Sequence, residues 1–418
     1  MRGVDRPCGA GLGRPKRIAI SGGGVSGRTD TRQDGVDNVA TGAEWPVIGI
    51  VGAGSLGQAY AALLASSGQS VVLLASEASA DRLRRAGEVR LIGAVIRTVP
   101  AGDPGTPASD ASASQAGRGW GCIGVTTDPA ELVKHVCGVD RSGGASGILF
   151  ATKGHQLPEA ISEVVAALPS RPIGSSGAED EGVGDWAGDW WVAGVQNGLV
   201  KDDLLADAFG WSRTIGAVSI LGAGREADGA VRIGGLGMTY LGEFDAPPSV
   251  RVADAVARMT EAGIPAEAAP DIRSVLWSKA CNAVGIFGVT VLTRLPGPSL
   301  WGNPDLVRAF RALIRETDAV ARAHGVAVGD YVGFPIKRYL QMTASEHVEY
   351  ASGLVPGGRS GPIAPGAYPS MAQDLFAGRA MEVEEVFGDV VIRAERAGVD
   401  VPRVALVCDL LRGLNAQV

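Results

Sequence analysis

The hydrophobic and polar positions of this chain fall into two regimes. Up to residue 269, short apolar runs rich in β-branched residues alternate with stretches of helical period; from residue 270 only the helical period remains. The first regime predicts strands at 47–51, 70–75, 122–125, 148–152 and 190–195, a strand pair at 89–92 and 94–97, and further strands at 214–221 and 231–241. Helices are expected between them at 59–65, 81–87, 129–136 and 158–168. Strands alternating with helices predict a parallel, doubly wound sheet. The second regime predicts helices at 272–284, 306–323, 331–343, 370–377, 381–397 and 404–414. Segments 101–119, 138–147 and 170–190 are rich in Gly, Ser, Pro and Asp and read as loop insertions.

The first strand feeds Gly52-Ala53-Gly54-Ser55-Leu56-Gly57, and an Ala/Leu-rich helix closed by Gly68 leads into the second strand. This is a strand–turn–helix–strand unit of the length used to hold a dinucleotide. The first glycine allows the tight turn, the second lets backbone approach a pyrophosphate, and the third lets helix and strand pack closely. The helix N-terminus offers unpaired N–H groups to the phosphates. The fold class is therefore α/β: a Rossmann-type doubly wound sheet over 46–269, followed by an all-helical domain over 270–418. A second glycine fingerprint at 17–27 precedes a polar stretch that cannot form the packing helix, so it is a decoy. Residues 1–45, Gly-, Arg- and Asp-rich without period or apolar signal core, read as a disordered extension or as a start assigned upstream of the true one.

Composition narrows the partners. A net charge of −7 without a basic block argues against nucleic acid. The longest apolar run, 280–292, contains Asn282 and two glycines and is too short to span a membrane. Five scattered cysteines, without CxxC spacing, point to reduced thiols in a cytoplasmic protein and to no metal site. Of 38 basic residues only six are lysine, which draws attention to a lysine inside a motif.

Two strand ends carry polar groups where an open α/β sheet binds ligands: Thr152-Lys153-Gly154-His155-Gln156, and Gln196-Asn197-Gly198. Each also reads as ordinary loop polarity. In the helical half, Lys279 and Asn282 lie three apart on one helix face, although a lone lysine there also fits a snorkelling surface residue. Ser370, with Gln373 three residues on, reads as a helix cap, and Glu382, Glu384 and Glu385 as a solvated helix start.

Taken together and in order, GAGSLG, TKGHQ, VQNG, WSKACN and SMAQD-x(3)-GR-x(2)-E resemble the ketopantoate reductases over 46–418, apart from the three insertions. The resemblance implies NADPH-dependent reduction of a 2-keto acid in a cleft between the two domains, NADH not being excluded. It implies Lys279 as the general acid and Glu382 as the carboxylate that holds substrate hydroxyl and lysine in place. Ser370 and Asn282 are implied as substrate contacts, Asn197 as a contact to both substrate and cofactor, and Lys153 as a cofactor-side contact. The loop Gly52, Ala53, Gly54, Ser55, Leu56 and Gly57, with Ser76, is implied to hold the cofactor. The implied partner is a small-molecule 2-keto acid, and a homodimer is left open.

Three departures bear on this. Where the family has an arginine after the second strand, for the 2′-phosphate of NADP, this chain has Ala75-Ser76-Glu77, with Arg82 and Arg84 nearby. Asn282 stands three rather than four residues after the lysine, and the next polar position is apolar, within Gly285-Ile286-Phe287. Phe387 replaces an asparagine before a glycine. The hydride machinery is thus complete while the substrate-binding polar set is thinned. The expected function is NAD(P)H-dependent reduction of a 2-keto acid, ketopantoate being the first candidate; the alternatives are a related dehydrogenase on another keto or hydroxy acid, or a catalytically silent nucleotide-binding protein.

Overall fold

Runs buried on both faces build the central sheet. The computed structural model describes residues 46–105, 121–137, 145–169, 190–354 and 368–418. The first half runs β1 (Val47–Val51), α1 (Ser55–Ser66), β2 (Ser70–Leu74), α2 (Glu77–Ala86), β3 (Glu88–Gly93), β4 (Arg97–Gly102), β5 (Ile123–Thr126), α3 (Pro129–Val136), β6 (Ser146–Phe150), α4 (Leu157–Ala167), β7 (Trp190–Gly194) and α5 (Val200–Phe209). It continues through β8 (Gly216–Ser219), β9 (Gly222–Arg225), β10 (Val231–Gly235), β11 (Thr239–Gly242), α6 (Val250–Glu261) and β12 (Ala266–Ala268).

The large sheet has the order β7-β6-β1-β2-β5-β4-β3-β10-β9. From β7 through β4 every pairing is parallel. The chain winds one way from β1 to β2 and β5, and the other way from β6 to β7, so the winding reverses between β1 and β6. In an open α/β sheet that reversal opens a crevice at the strands' carboxyl ends. Successive side chains take opposite faces. Ile48, Ile50, Leu149 and Trp191 join one core, and Val47, Val51, Phe150 and Trp190 join the other, under α3, α4 and α5. Three further strands, β12-β11-β8, form a separate small sheet.

The second half contains α7 (Ile272–Thr293), α8 (Gly297–Trp301), α9 (Pro304–Ala323), α10 (Ile336–Gln341), α11 (Ala344–Gly353), α12 (Ser370–Phe376), α13 (Asp389–Ala397) and α14 (Pro402–Asn415). The expected fold class is the observed one, a doubly wound sheet followed by a helical half. α7 is its axis and packs chiefly against α9. It runs past the expected end at 284, through two glycines that look like breakers. A Cβ at Gly285 would stand 2.6 Å from the Phe310 ring, and one at Gly288 3.0 Å from Leu313. Close helix packing outweighs the helix penalty of glycine, about 1 kcal/mol each. At 22 residues α7 is long and apolar enough to cross a membrane, contrary to the expectation from 280–292, but 78% of its most apolar window is buried inside the protein.

Other boundaries also differ from expectation. Residues 94–96 are a turn, because Gly93 takes φ +95°, and the second arm begins at Arg97. The run 231–241 breaks over residues 236–238 into β10 and β11, which belong to different sheets. The helix expected over 331–343 starts at Ile336, after a hairpin of Asp330–Tyr331 with Phe334–Pro335 in which Gly333 takes φ +88°. The decoy fingerprint and most of the three insertions lie outside the described residues.

Candidate active site

The glycine-rich loop does what its spacing predicts. Gly52 takes φ +107°, and a Cβ there would stand 2.8 Å from the Thr152 amide. At Gly57 a Cβ would come within 1.9 Å of the Gly52 carbonyl, so only glycine lets α1 lie so close to β1. At Gly54 the nearest atom would be 3.9 Å away. Space therefore stands open in front of the second glycine, at the N-terminus of α1, as a pyrophosphate requires. Ser55 and Leu56 are half-buried on that first turn, Ala53 is buried behind it, and Ser76 is exposed after β2 with no capping bond. These groups fit a dinucleotide.

The loops after β6 and β7 reach the same crevice and meet residues of the helical half there. Glu382, 3% exposed, accepts from the Gly154 amide at 2.8 Å and from the Asn197 side-chain amide at 3.3 Å. Lys279, on α7, donates to the Asn197 Oδ1 at 3.4 Å. Asn197 thus bridges the lysine and the carboxylate. Burial pushes the Lys279 ammonium down to about 8, and the Glu382 carboxylate opposes that fall. A short distance away, buried Asp374 of α12 accepts from Lys153 at 2.5 Å and from Arg379 Nε at 3.0 Å. Lys153 and Arg379 thus share one carboxylate, and the three groups together carry a net positive charge.

Glycine also explains the two strand-end motifs. After Val383 the helix takes a wide π-turn over Glu384–Gly388 before α13; such bulges recur at functional sites. A Cβ at Gly198, where φ is +88°, would lie 2.0 Å from the Glu385 carbonyl, and one at Gly154 2.7 Å from the Glu385 side chain. Both glycines let the π-turn press on the sheet and carry Glu382 into the crevice. Gly198→Ala combines left-handed strain with a backbone clash, and should lower stability by about 2–3 kcal/mol. Thermal denaturation checks this.

Asn282 lies one turn beyond Lys279, half-buried, and Ile286 follows on the same face of α7. Ser370 is the first residue of α12, not its cap: Pro369 holds that place, and Gln373 bonds instead to the Tyr368 carbonyl. Among the described residues the Ser370 hydroxyl and the Asn282 amide make no hydrogen bond, which leaves both available to a ligand. Of the three carboxylates expected as a solvated helix start, only Glu384 is exposed in the first turn; Glu382 is buried before it and Glu385 half-buried. Glu384 pairs with Arg412, and burial pushes Glu385 up. Asp374 and Arg379 were legible in the SMAQD-x(3)-GR stretch but not assigned. Arg225, whose guanidinium donates to the Ala53 carbonyl at 2.8 Å, carried no signal, since β9 is a glycine-rich edge strand.

Two family models match this chain: ketopantoate reductase PanE/ApbA over residues 48–246, and its C-terminal counterpart over 271–415. A 2-dehydropantoate 2-reductase of Archaeoglobus fulgidus is 28% identical over 225 residues, covering 54% of this chain and 68% of that protein. One from Halobacterium salinarum is 28% identical over 221 residues, 53% and 66% of the two chains. Among solved structures, a ketopantoate reductase of Ralstonia eutropha superposes with TM-score 0.62 at 22% identity, over 88% of this chain and 98% of that one. D-Mandelate dehydrogenase, with NADH and anilino(oxo)acetate, gives 0.64 at 17%, over 88% and 98%. At these identities the structural likeness is one of fold. Both halves of the chain match their family models in order, and the chain belongs to the ketopantoate reductase family.

Proposed function

We propose that this chain reduces a 2-keto acid with NAD(P)H, 2-dehydropantoate being the first candidate, and that Lys279 is the general acid. The observation that carries the reading is the Lys279–Asn197–Glu382 chain, set in the crevice that the glycine-rich loop opens. A reduced nicotinamide bound there supplies hydride to the substrate carbonyl carbon. Lys279 holds a proton and a positive charge for the oxygen that becomes an alkoxide. Glu382 fixes Asn197 and the Gly154 amide, and its charge keeps Lys279 protonated near neutrality. Ser370 and Asn282 offer an uncommitted hydroxyl and amide to the substrate's carboxylate and hydroxyl.

A second reading follows from α7. The residue one turn beyond Asn282 is Ile286, which offers no hydrogen bond. That favours a 2-keto acid with a larger apolar side chain, the class to which the keto acid of mandelate belongs. Incubation with NADPH and 2-dehydropantoate, followed by chromatography, tests the first reading: pantoate is the expected product. Failure to form it, with turnover of an aromatic 2-keto acid, would favour the second.

The general acid must be protonated. kcat/KM for reduction should therefore be level below pH 8 and fall about tenfold per unit above it, since the Lys279 value is about 8. Glu382→Gln removes the charge that opposes burial, so the falling limb should move to lower pH. A pH–rate profile of both proteins checks the sign.

A further inference from the structure

The crevice has a second set of charges that the hydride chemistry does not use. Arg225 ends β9, which packs across α1, and its guanidinium is seated on the Ala53 carbonyl of the glycine-rich loop at 2.8 Å. Arg82, on α2, donates to Ser79 at 3.0 Å. Desolvation of its guanidinium, and after it the like charges of Arg82 and Arg379, lower the affinity of Arg225 for a proton. Arg379 shares the Asp374 carboxylate with Lys153. Arg82 and Arg225 have no carboxylate partner among the described residues.

Arg225 is exposed and Arg82 half-buried, so water screens them, but with no carboxylate among the described residues to balance either, they leave a positive site beside the glycine-rich loop that suits an anion. Their place indicates which anion. In a unit of this kind the groups just beyond the second strand face the 2′ position of the adenosine ribose. Here that position holds exposed Ser76 and the carboxylate Glu77, with no arginine. α2 brings Arg82 back one turn later, and β9 brings Arg225 from the far edge of the sheet. Arg84, the other candidate in this helix, turns toward the Val125 carbonyl at 3.4 Å.

We propose that Arg82 and Arg225 form a two-arginine clamp for the phosphate on the adenosine ribose of NADPH. The clamp replaces, from two separate elements, the single arginine missing after β2, and it gives the chain a preference for NADPH over NADH. A phosphate oxygen bonded to both guanidinium groups neutralises the pair, while the 2′-hydroxyl of NADH leaves their repulsion in place. This rests on the proposed NAD(P)H-binding role of the crevice.

Titration of nicotinamide fluorescence, giving Kd for NADPH and for NADH, tests the clamp without turnover. For Arg225→Gln and Arg82→Gln, Kd for NADPH should rise about tenfold or more, as for other hydrogen bonds to charged groups. Kd for NADH should stay within about twofold, by the same reasoning that it makes no such bond. Arg225→Lys should recover part of the loss, and an unchanged thermal midpoint shows that each variant is folded. Unchanged NADPH affinity, or equal weakening of both nucleotides, overturns the clamp. So does a wild-type protein that binds NADH as tightly as NADPH. A wild-type protein that binds neither nucleotide fails the cofactor reading itself, and the clamp with it.

Discussion

Lys279→Ala is expected to lower kcat/KM for keto acid reduction by about 10³–10⁴, the combined weight of a general acid and of a charge opposite the developing alkoxide. Nucleotide affinity should survive, because the glycine-rich loop lies on the sheet half and, among the described residues, no hydrogen bond joins it to this side chain. Among the described residues Lys279 donates only to Asn197, at 3.4 Å, so its loss leaves the Glu382 bonds to Gly154 and Asn197 standing. Stability should change little. A lysine held at about 8 by burial already carries a desolvation penalty, which alanine removes. Single-turnover kinetics beside a nucleotide titration separate the two effects. Turnover within about tenfold of wild type would leave the lysine without the role that general acid catalysis gives it.

The second large effect concerns the glycines. Gly57→Ala places a methyl 1.9 Å from the Gly52 carbonyl, backbone against backbone, with no side chain able to give way. The loop must open, so nucleotide affinity should fall by about a hundredfold or more and stability by about 2–3 kcal/mol. Gly54→Ala is the informative contrast. Its Cβ meets nothing closer than 3.9 Å, so the folded protein should keep its thermal midpoint while the methyl occupies the space a phosphate needs. If both variants lose stability alike, the loop is a structural turn and not a phosphate cradle.

The sheet half was readable because its signals are local. Strands buried at every position read as continuous apolar runs, and the spacing of Gly52, Gly54 and Gly57 states its own geometry. Errors came where tertiary contacts decide. Gly285 and Gly288 look like helix breakers until Phe310 and Leu313 are seen to need their space. α5 escaped because it buries Lys201 and Asp202, which pair at 2.6 Å, so its pattern is not amphipathic. α11 was missed although Thr343 and Glu346 form a capping box that the sequence displays.

The candidate site divides in the same way. Lys279, Asn197 and Glu382 stand far apart in the chain, and motif order alone picked them out; the structure brings them into one hydrogen-bonded chain. The glycines of TKGHQ and VQNG read as loop residues, yet their purpose is to admit the π-turn that carries Glu382. Arg225 was not legible at all. Its relation to Ala53 depends on a β-strand pairing across the sheet edge, which no local pattern encodes.

The most direct test of the account is the loss of nicotinamide absorbance when 2-keto acids are added to purified protein with NADPH or NADH. 2-Dehydropantoate and an aromatic 2-keto acid should be run side by side, for wild type and for Lys279→Ala. The account predicts oxidation by wild type with at least one of these acids, faster with NADPH, and almost none by the variant under the same nucleotide occupancy. Tight nucleotide binding by wild type with no oxidation by any 2-keto acid would contradict it, and would leave the chain a nucleotide-binding member of its family without the reaction.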